Sequence, residues 1–226
     1  MTNITNSPRP ASGSLLETGS VALALILFPL LFVSAQFLHP DPFTTGLPKT
    51  GMEFAVHING AHWMHVAHLL EFICAPLLLV LALHFYARLK PALPRLAFTA
   101  LVMAAIGTFM LAGNKAALCL TSSAFDTLSD ADLFAMAPGL EVLIHRRALM
   151  AVLWGIPLLP LGFALFAAGL LKAGVTPKWQ AAFILAGSLL LANPEIQAIN
   201  TVASLLFAIG FPSYAWTYFN SQTSSS

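Results

Sequence analysis

Residues 62 to 72 read HWMHVAHLLEF, and imidazoles and a carboxylate at helical spacing can hold a metal ion, pass protons or pair charges. At about 100° per residue, His65, His68 and Glu71 descend one side of a helix within an arc of about 120°. If that helix enters a bilayer near residue 61, a rise of about 1.5 Å per residue puts Glu71 roughly 15 Å down, close to mid-membrane. A carboxylate there costs about 3 kcal/mol even after relaxation, so it is expected to be protonated or paired. The partners available in the same half are Lys115 beside Asn114, then His145, Glu195, Gln197 and Asn200.

A second pattern is EVLIH, where Glu141 and His145 stand four residues apart and so share one helix face. That spacing suits two ligands to one ion, as does His65 with His68. Together His65, His68, Glu71, Glu141 and His145 would make a site of neutral imidazoles and carboxylates suited to a divalent metal such as zinc, iron or manganese. Haem b held by a histidine of this segment and His145 is the cofactor variant. Asn114, Lys115, Glu195 and Asn200 would orient the ligands. Neither HExxH nor a paired ExxH signature is present.

Simpler roles are weighed beside these. His62 with Trp63 reads as an interfacial anchor, because both rings favour the headgroup level. His39 and His57 read as loop residues in water, and Lys115 as a side chain snorkelling to the outer surface. Arg146 and Arg147 read as contacts to lipid phosphate or to the acidic loop, and His84 has no evident companion. A His–Glu hydrogen bond that locks two helices is at least as plain a use of His68 and Glu71 as catalysis.

The elements that must position these groups follow from composition. Of 226 residues, 8% are charged and 58% hydrophobic, with a mean hydropathy of +0.82, which is the profile of a membrane protein and far from that of a soluble domain. A formal net charge of +1 without blocks of like charge gives no footprint for nucleic acid. Cys74 and Cys119 fall in different apolar segments and read as free thiols, and there is no CxxC.

The sequence predicts an all-α, polytopic bundle of six spans near 18–38, 61–87, 95–120, 146–171, 178–193 and 196–218, between tails (1–17 and 219–226) expected to be disordered. The fifth span is short enough to stop before a full crossing. Arg88, Lys90, Arg95, Lys172 and Lys178 fall in turns on one side, while Asp126, Asp130 and Asp132 fall on the other. The positive-inside rule then places both termini in the cytoplasm. A rival topology starts from Val33-Ser34-Ala35 as a signal-peptidase site, with cleavage after Ala35 leaving five spans. Retention is favoured, because the preceding segment lacks the basic end such a signal carries.

Prolines 29, 76, 157, 160 and 212 lie inside the spans and predict kinks. Gly162, Gly169, Ala164 and Ala168 offer smooth faces for close helix contact. Ser129 followed by two aspartates predicts a short surface helix over 129–137, stopped by Pro138-Gly139.

LHP at Leu38 to Pro40, Trp63 followed by AHLL at Ala67 to Leu70, and AAIG at Ala104 to Gly107 resemble a diffuse group of bacterial multi-pass membrane proteins to which no activity is assigned. The resemblance covers roughly the first half of the chain. It implies a bacterial inner (plasma) membrane and nothing about chemistry, and Glu71 and the Glu141/His145 pair lie outside the shared pattern.

Three functional classes remain open. A structural or accessory bundle, bound to lipid and to another membrane protein or a second copy of itself, carries the most weight because no catalytic motif stands out. A metal- or haem-binding protein and a proton-coupled transporter component are the alternatives. Repeated halves, common in transporters, are missing.

Overall fold

The computed structural model describes residues 15–46, 48–145, 153–193 and 196–223. Glu195, Arg146, Arg147, residues 1–14 and residues 224–226 lie outside the described residues, as does the beginning of the fourth predicted span, while 15–17 and 219–223, expected in the disordered tails, are helical in α1 and α9. Within them the chain is all-helical, with no strands. Its helices are α1 (Leu15–Leu38), α2 (Gly51–Ile58), α3 (His62–Leu89), α4 (Pro94–Phe125), α5 (Asp130–Ala135), α6 (Ala137–Ile144), α7 (Leu158–Ala173), α8 (Lys178–Leu191) and α9 (Gln197–Thr223).

Among the described residues, five helical stretches are long and apolar enough to cross a membrane: 18–38, 62–89, 94–125, 153–173 and 197–220. At 14 residues, α8 spans about 21 Å, less than the hydrocarbon core of about 30 Å. Of the exposed tryptophans, Trp63 stands at one end of the bundle and Trp179 and Trp216 towards the other. Those are the levels at which an amphipathic ring is best accommodated.

Each long helix packs on its successor: α1 on α3, α3 on α4, α4 on α7, α7 on α8, α8 on α9, and α9 back on α1. The result is a closed ring. Successive helices of the ring run antiparallel, so one end of it gathers the end of α1 and the starts of α3 and α9. Small residues set the tightest seam. Ala97, Ala100, Ala104 and Gly107 form a buried stripe on α4, and a Cβ at Gly107 would stand 2.1 Å from the Leu159 nitrogen. Gly162 faces the same stripe, its imagined Cβ 2.5 Å from the nitrogen of Ala104. Gly169 has a different use, because it meets the side chains of Leu89 and Leu96.

Aromatic rings fill the interior away from the α1 terminus. Phe28 meets Phe211 edge-on at 5.3 Å, and Phe85 contacts Phe163, Phe166, Phe211 and Tyr214. This layer joins α1, α3, α7 and α9.

The structure corrects several expectations. Helix α4 runs to Phe125, past the predicted end at 120, because Thr121, Ser122 and Ser123 turn their hydroxyls onto the carbonyls of Ala117, Leu118 and Cys119 and so hide their polarity along the helix. The predicted 129–137 helix is two helices. Ser129 caps α5 as expected, accepting from the Asp132 N–H, but Pro138 stands in the first turn of α6, where its missing N–H costs nothing. The loop after α1 contains α2, capped by Thr50, whose hydroxyl accepts from the Glu53 N–H. The fourth span is interrupted, with a 3₁₀ turn at 153–155 and α7 starting after Pro157. Its far end is closed by Gly174 at φ 63°, whose N–H bonds the Leu170 carbonyl.

Helices α2, α5 and α6 form a cap over the α3 start, held by Ala55, Ile58, Met64, Leu133 and Leu140. Gly51 permits it, because a Cβ there would lie 1.7 Å from the Ala137 carbonyl oxygen.

Candidate functional site

Glu71 is buried on α3, and both of its oxygens are engaged by other helices. Lys115 Nζ of α4 stands 2.6 Å from Oε2, and Gln36 Nε2 of α1 donates to Oε1 at 2.8 Å. Gln36 in turn accepts at Oε1 from Gln197 Nε2 of α9 at 3.0 Å. The donors run one way, from Gln197 through Gln36 to the carboxylate, because an ionised carboxylate can only accept. One side chain thus connects α1, α3, α4 and α9.

Lys115 does not snorkel to the surface. The five extra residues of α4 leave it about 15 Å below the helix end, and its side chain is 13% exposed. Asn114, its neighbour, is also buried, with Nδ2 lacking a hydrogen-bond partner.

His68, one turn before Glu71, is buried and meets the ring of His39 edge-to-face at 5.3 Å. His39 is therefore half-buried against α3, and the expectation of a loop side chain in water is corrected. The Nδ1 atoms of both rings are buried without hydrogen-bond partners. Burial disfavours the His39 imidazolium, with the Lys115 and His57 charges adding to it against the opposing pull of Glu71, and brings its pKa down to about 4. His57 lies on α2, half-buried, and burial lowers its pKa too.

His65 points to a different carboxylate. Its Nε2 is 3.5 Å from Asp126 Oδ2, which His62 Nδ1 approaches to 2.9 Å. Asp126 caps α4 and also accepts from the Gly60 N–H, so the acidic loop supplies a buried joint between the start of α3 and the end of α4. His62 has this role in addition to its place beside Trp63.

Glu141 and His145 belong to the cap and not to a spanning helix. The two are 3.7 Å apart and each about half-exposed, and Glu141 accepts from the Gly51 N–H of α2 at 3.2 Å. Asn200 accepts from Asn193 Nδ2 at 2.8 Å, bracing the α8–α9 turn. At the opposite end of the bundle His84 does have a companion, since its Nε2 is 2.9 Å from the Tyr214 hydroxyl. Cys74 and Cys119 are free thiols.

An open cleft of about 690 Å³ lies where α1 ends and α3 begins, lined by Phe37, His39, His57, His62, Trp63 and neighbouring residues. Among the described residues, no three His, Cys, Asp or Glu side chains gather in a way that could hold a metal ion. What the arrangement offers chemically is a fixed ion pair with imidazoles able to take up or release a proton between it and the cleft.

Sequence reasoning singled out neither Gln36 nor His39 for this site. The signal available was Gln36 as the one amide side chain in the first span, one turn before His39. Compared with protein-family models, with curated proteins and with solved structures, the chain matches none of them.

Proposed function

We propose that this chain is a six-span protein of a bacterial inner (plasma) membrane, with both termini in the cytoplasm, serving as a small structural or accessory bundle beside another membrane protein or a second copy of itself. The observation that carries the reading is the linkage of four helices through Glu71 and Gln36. A carboxylate whose two oxygens are taken by Lys115 and Gln36 is arranged to hold helices in register. Arg88, Lys90, Arg95, Lys172 and Lys178 lie at the end away from the cleft, which favours that end as cytoplasmic. The six-span reading counts α8 as a tilted or incomplete crossing whose ends are completed by its neighbours.

The metal- or haem-bearing alternative draws on the unpartnered imidazole nitrogens of His39, His65 and His68. Its haem form loses ground with His145 on the cap. Native mass spectrometry and elemental analysis of one detergent-purified sample separate the readings. The structural reading expects a partner or second copy and no stoichiometric metal, and expects Glu71→Gln and His68→Ala to lower thermal stability. A lone monomer carrying one equivalent of metal, or a Soret band, overturns it.

A further inference from the structure

A lock between helices does not by itself explain charged groups, since apolar side chains of similar volume often hold a bundle as well as a buried ion pair does. The surroundings of the pair are asymmetric. Towards the cleft, His68 is one turn from Glu71, His39 touches His68 at 5.3 Å, and His39 and His57 line the open cleft. The Nδ1 atoms of His39 and His68 are buried and without a hydrogen-bond partner, so each is free to accept or donate a proton. On the other side, Cys74 directs its thiol to the Phe28 carbonyl, and Phe28, Phe207, Phe211 and Phe85 close the ring. The next ionisable groups beyond them, His84 and Tyr214, are bonded to each other.

We propose that the Glu71–Lys115 pair is a proton-exchange site open to one face of the membrane, reached from the cleft through His39 and His68 and closed from the other face by the aromatic layer. The inference goes beyond the structural reading and needs no partner protein. The ionisable groups facing the pair are His68 and Cys74 from α3 and His39 from the segment after α1, with His57 of α2 beside His39 and His65 beside His68, while α1 and α9 present the amides of Gln36 and Gln197.

The transfer balances as one proton from water. It binds His39, moves to His68, and forms an O–H bond on the Glu71 carboxylate, each imidazole returning to its neutral form. The ion pair breaks. Lys115 keeps its ammonium, so the site gains one positive charge, and the flexible lysine stem lets that charge rise towards cleft water. Gln36 can donate to Oε1 in either protonation state of Glu71.

Infrared difference spectroscopy of the full-length protein in nanodiscs tests this as the pH is lowered from neutral. The expected result is a protonated-carboxyl stretch that Glu71→Gln lacks. Lys115→Gln should raise its midpoint by about one pH unit or more, a tenfold gain in proton affinity, and this variant decides the matter should Glu71→Gln fail to fold. After a pH jump, His39→Leu and His68→Leu should slow the signal about tenfold or more. In uniformly oriented vesicles, a membrane-impermeant thiol reagent should modify His39→Cys, in a background with Cys74→Ala and Cys119→Ala, from the cleft face alone. No Glu71-dependent carboxyl signal over the pH range in which the fold survives, unchanged rates in both histidine variants, or labelling from the opposite face overturns the proposal.

Discussion

Lys115 reaches Glu71 across the α3–α4 interface with 2.6 Å between ammonium nitrogen and carboxylate oxygen, although the two lie 44 residues apart in the chain. Each supplies the charge that makes the other tolerable at that depth.

Removing either partner alone should therefore be costly. Glu71→Leu or Lys115→Met leaves one buried charge uncompensated, for a loss of about 3–5 kcal/mol. The double variant Glu71→Leu/Lys115→Met should recover most of it. Thermal denaturation in detergent, analysed as a double-mutant cycle, checks this, and purely additive losses would show that the pair does not act as a unit.

Gln36→Leu should cost about 1–3 kcal/mol, because it strips a donor from Glu71 and an acceptor from Gln197. Gln197→Leu should cost less, since the Glu71 contact survives. The ordering of the two melting temperatures is the measurement.

Much of this was legible in the chain itself. Unbroken apolar runs gave the long helices, and the spacing of His65, His68 and Glu71 gave a face on which Lys115 was one of several possible partners and was also readable as a snorkelling side chain. What the residues could not announce were interactions that suspend local rules. The hydroxyls at 121–123 look like a helix end until each bonds the carbonyl one turn back. Pro138-Gly139 looks like a stop until Gly51 brings α2 against a helix that starts there. Gln36 has meaning only once α9 returns to α1, a relationship between residues 161 positions apart.

Gly107→Ala should destabilise the bundle by about 1–3 kcal/mol, because the added methyl falls on the Leu159 backbone of α7. Gly113→Ala, on the same helix with nothing within 4 Å of the added Cβ, should be neutral or slightly stabilising through helix propensity. Equal effects in the two variants would contradict the close α4–α7 seam.

Acidification should weaken the fold through His39. With a folded-state pKa of about 4 against about 6.5 for a solvated imidazole, the unfolded chain binds more protons between those values. Stability contributed by the neutral ring is full above about pH 6.5 and is lost as pH falls towards 4. His57, lowered by burial, adds in the same direction. Melting temperature should decline across this window, and His39→Gln should flatten the decline.

The seam between α1 and α9 clasps an early helix to one made much later. Besides Gln197 and Gln36, the Ala198 N–H bonds the Thr44 carbonyl at 3.0 Å and the Thr201 hydroxyl bonds the Pro42 carbonyl at 2.6 Å. While the chain is being synthesised that clasp has no second half, and the early helices stand as an open horseshoe with Gln36 facing an empty flank. A ribosome must deliver α9 before the circle can shut. Shortening α9 at its start would thus strand α1.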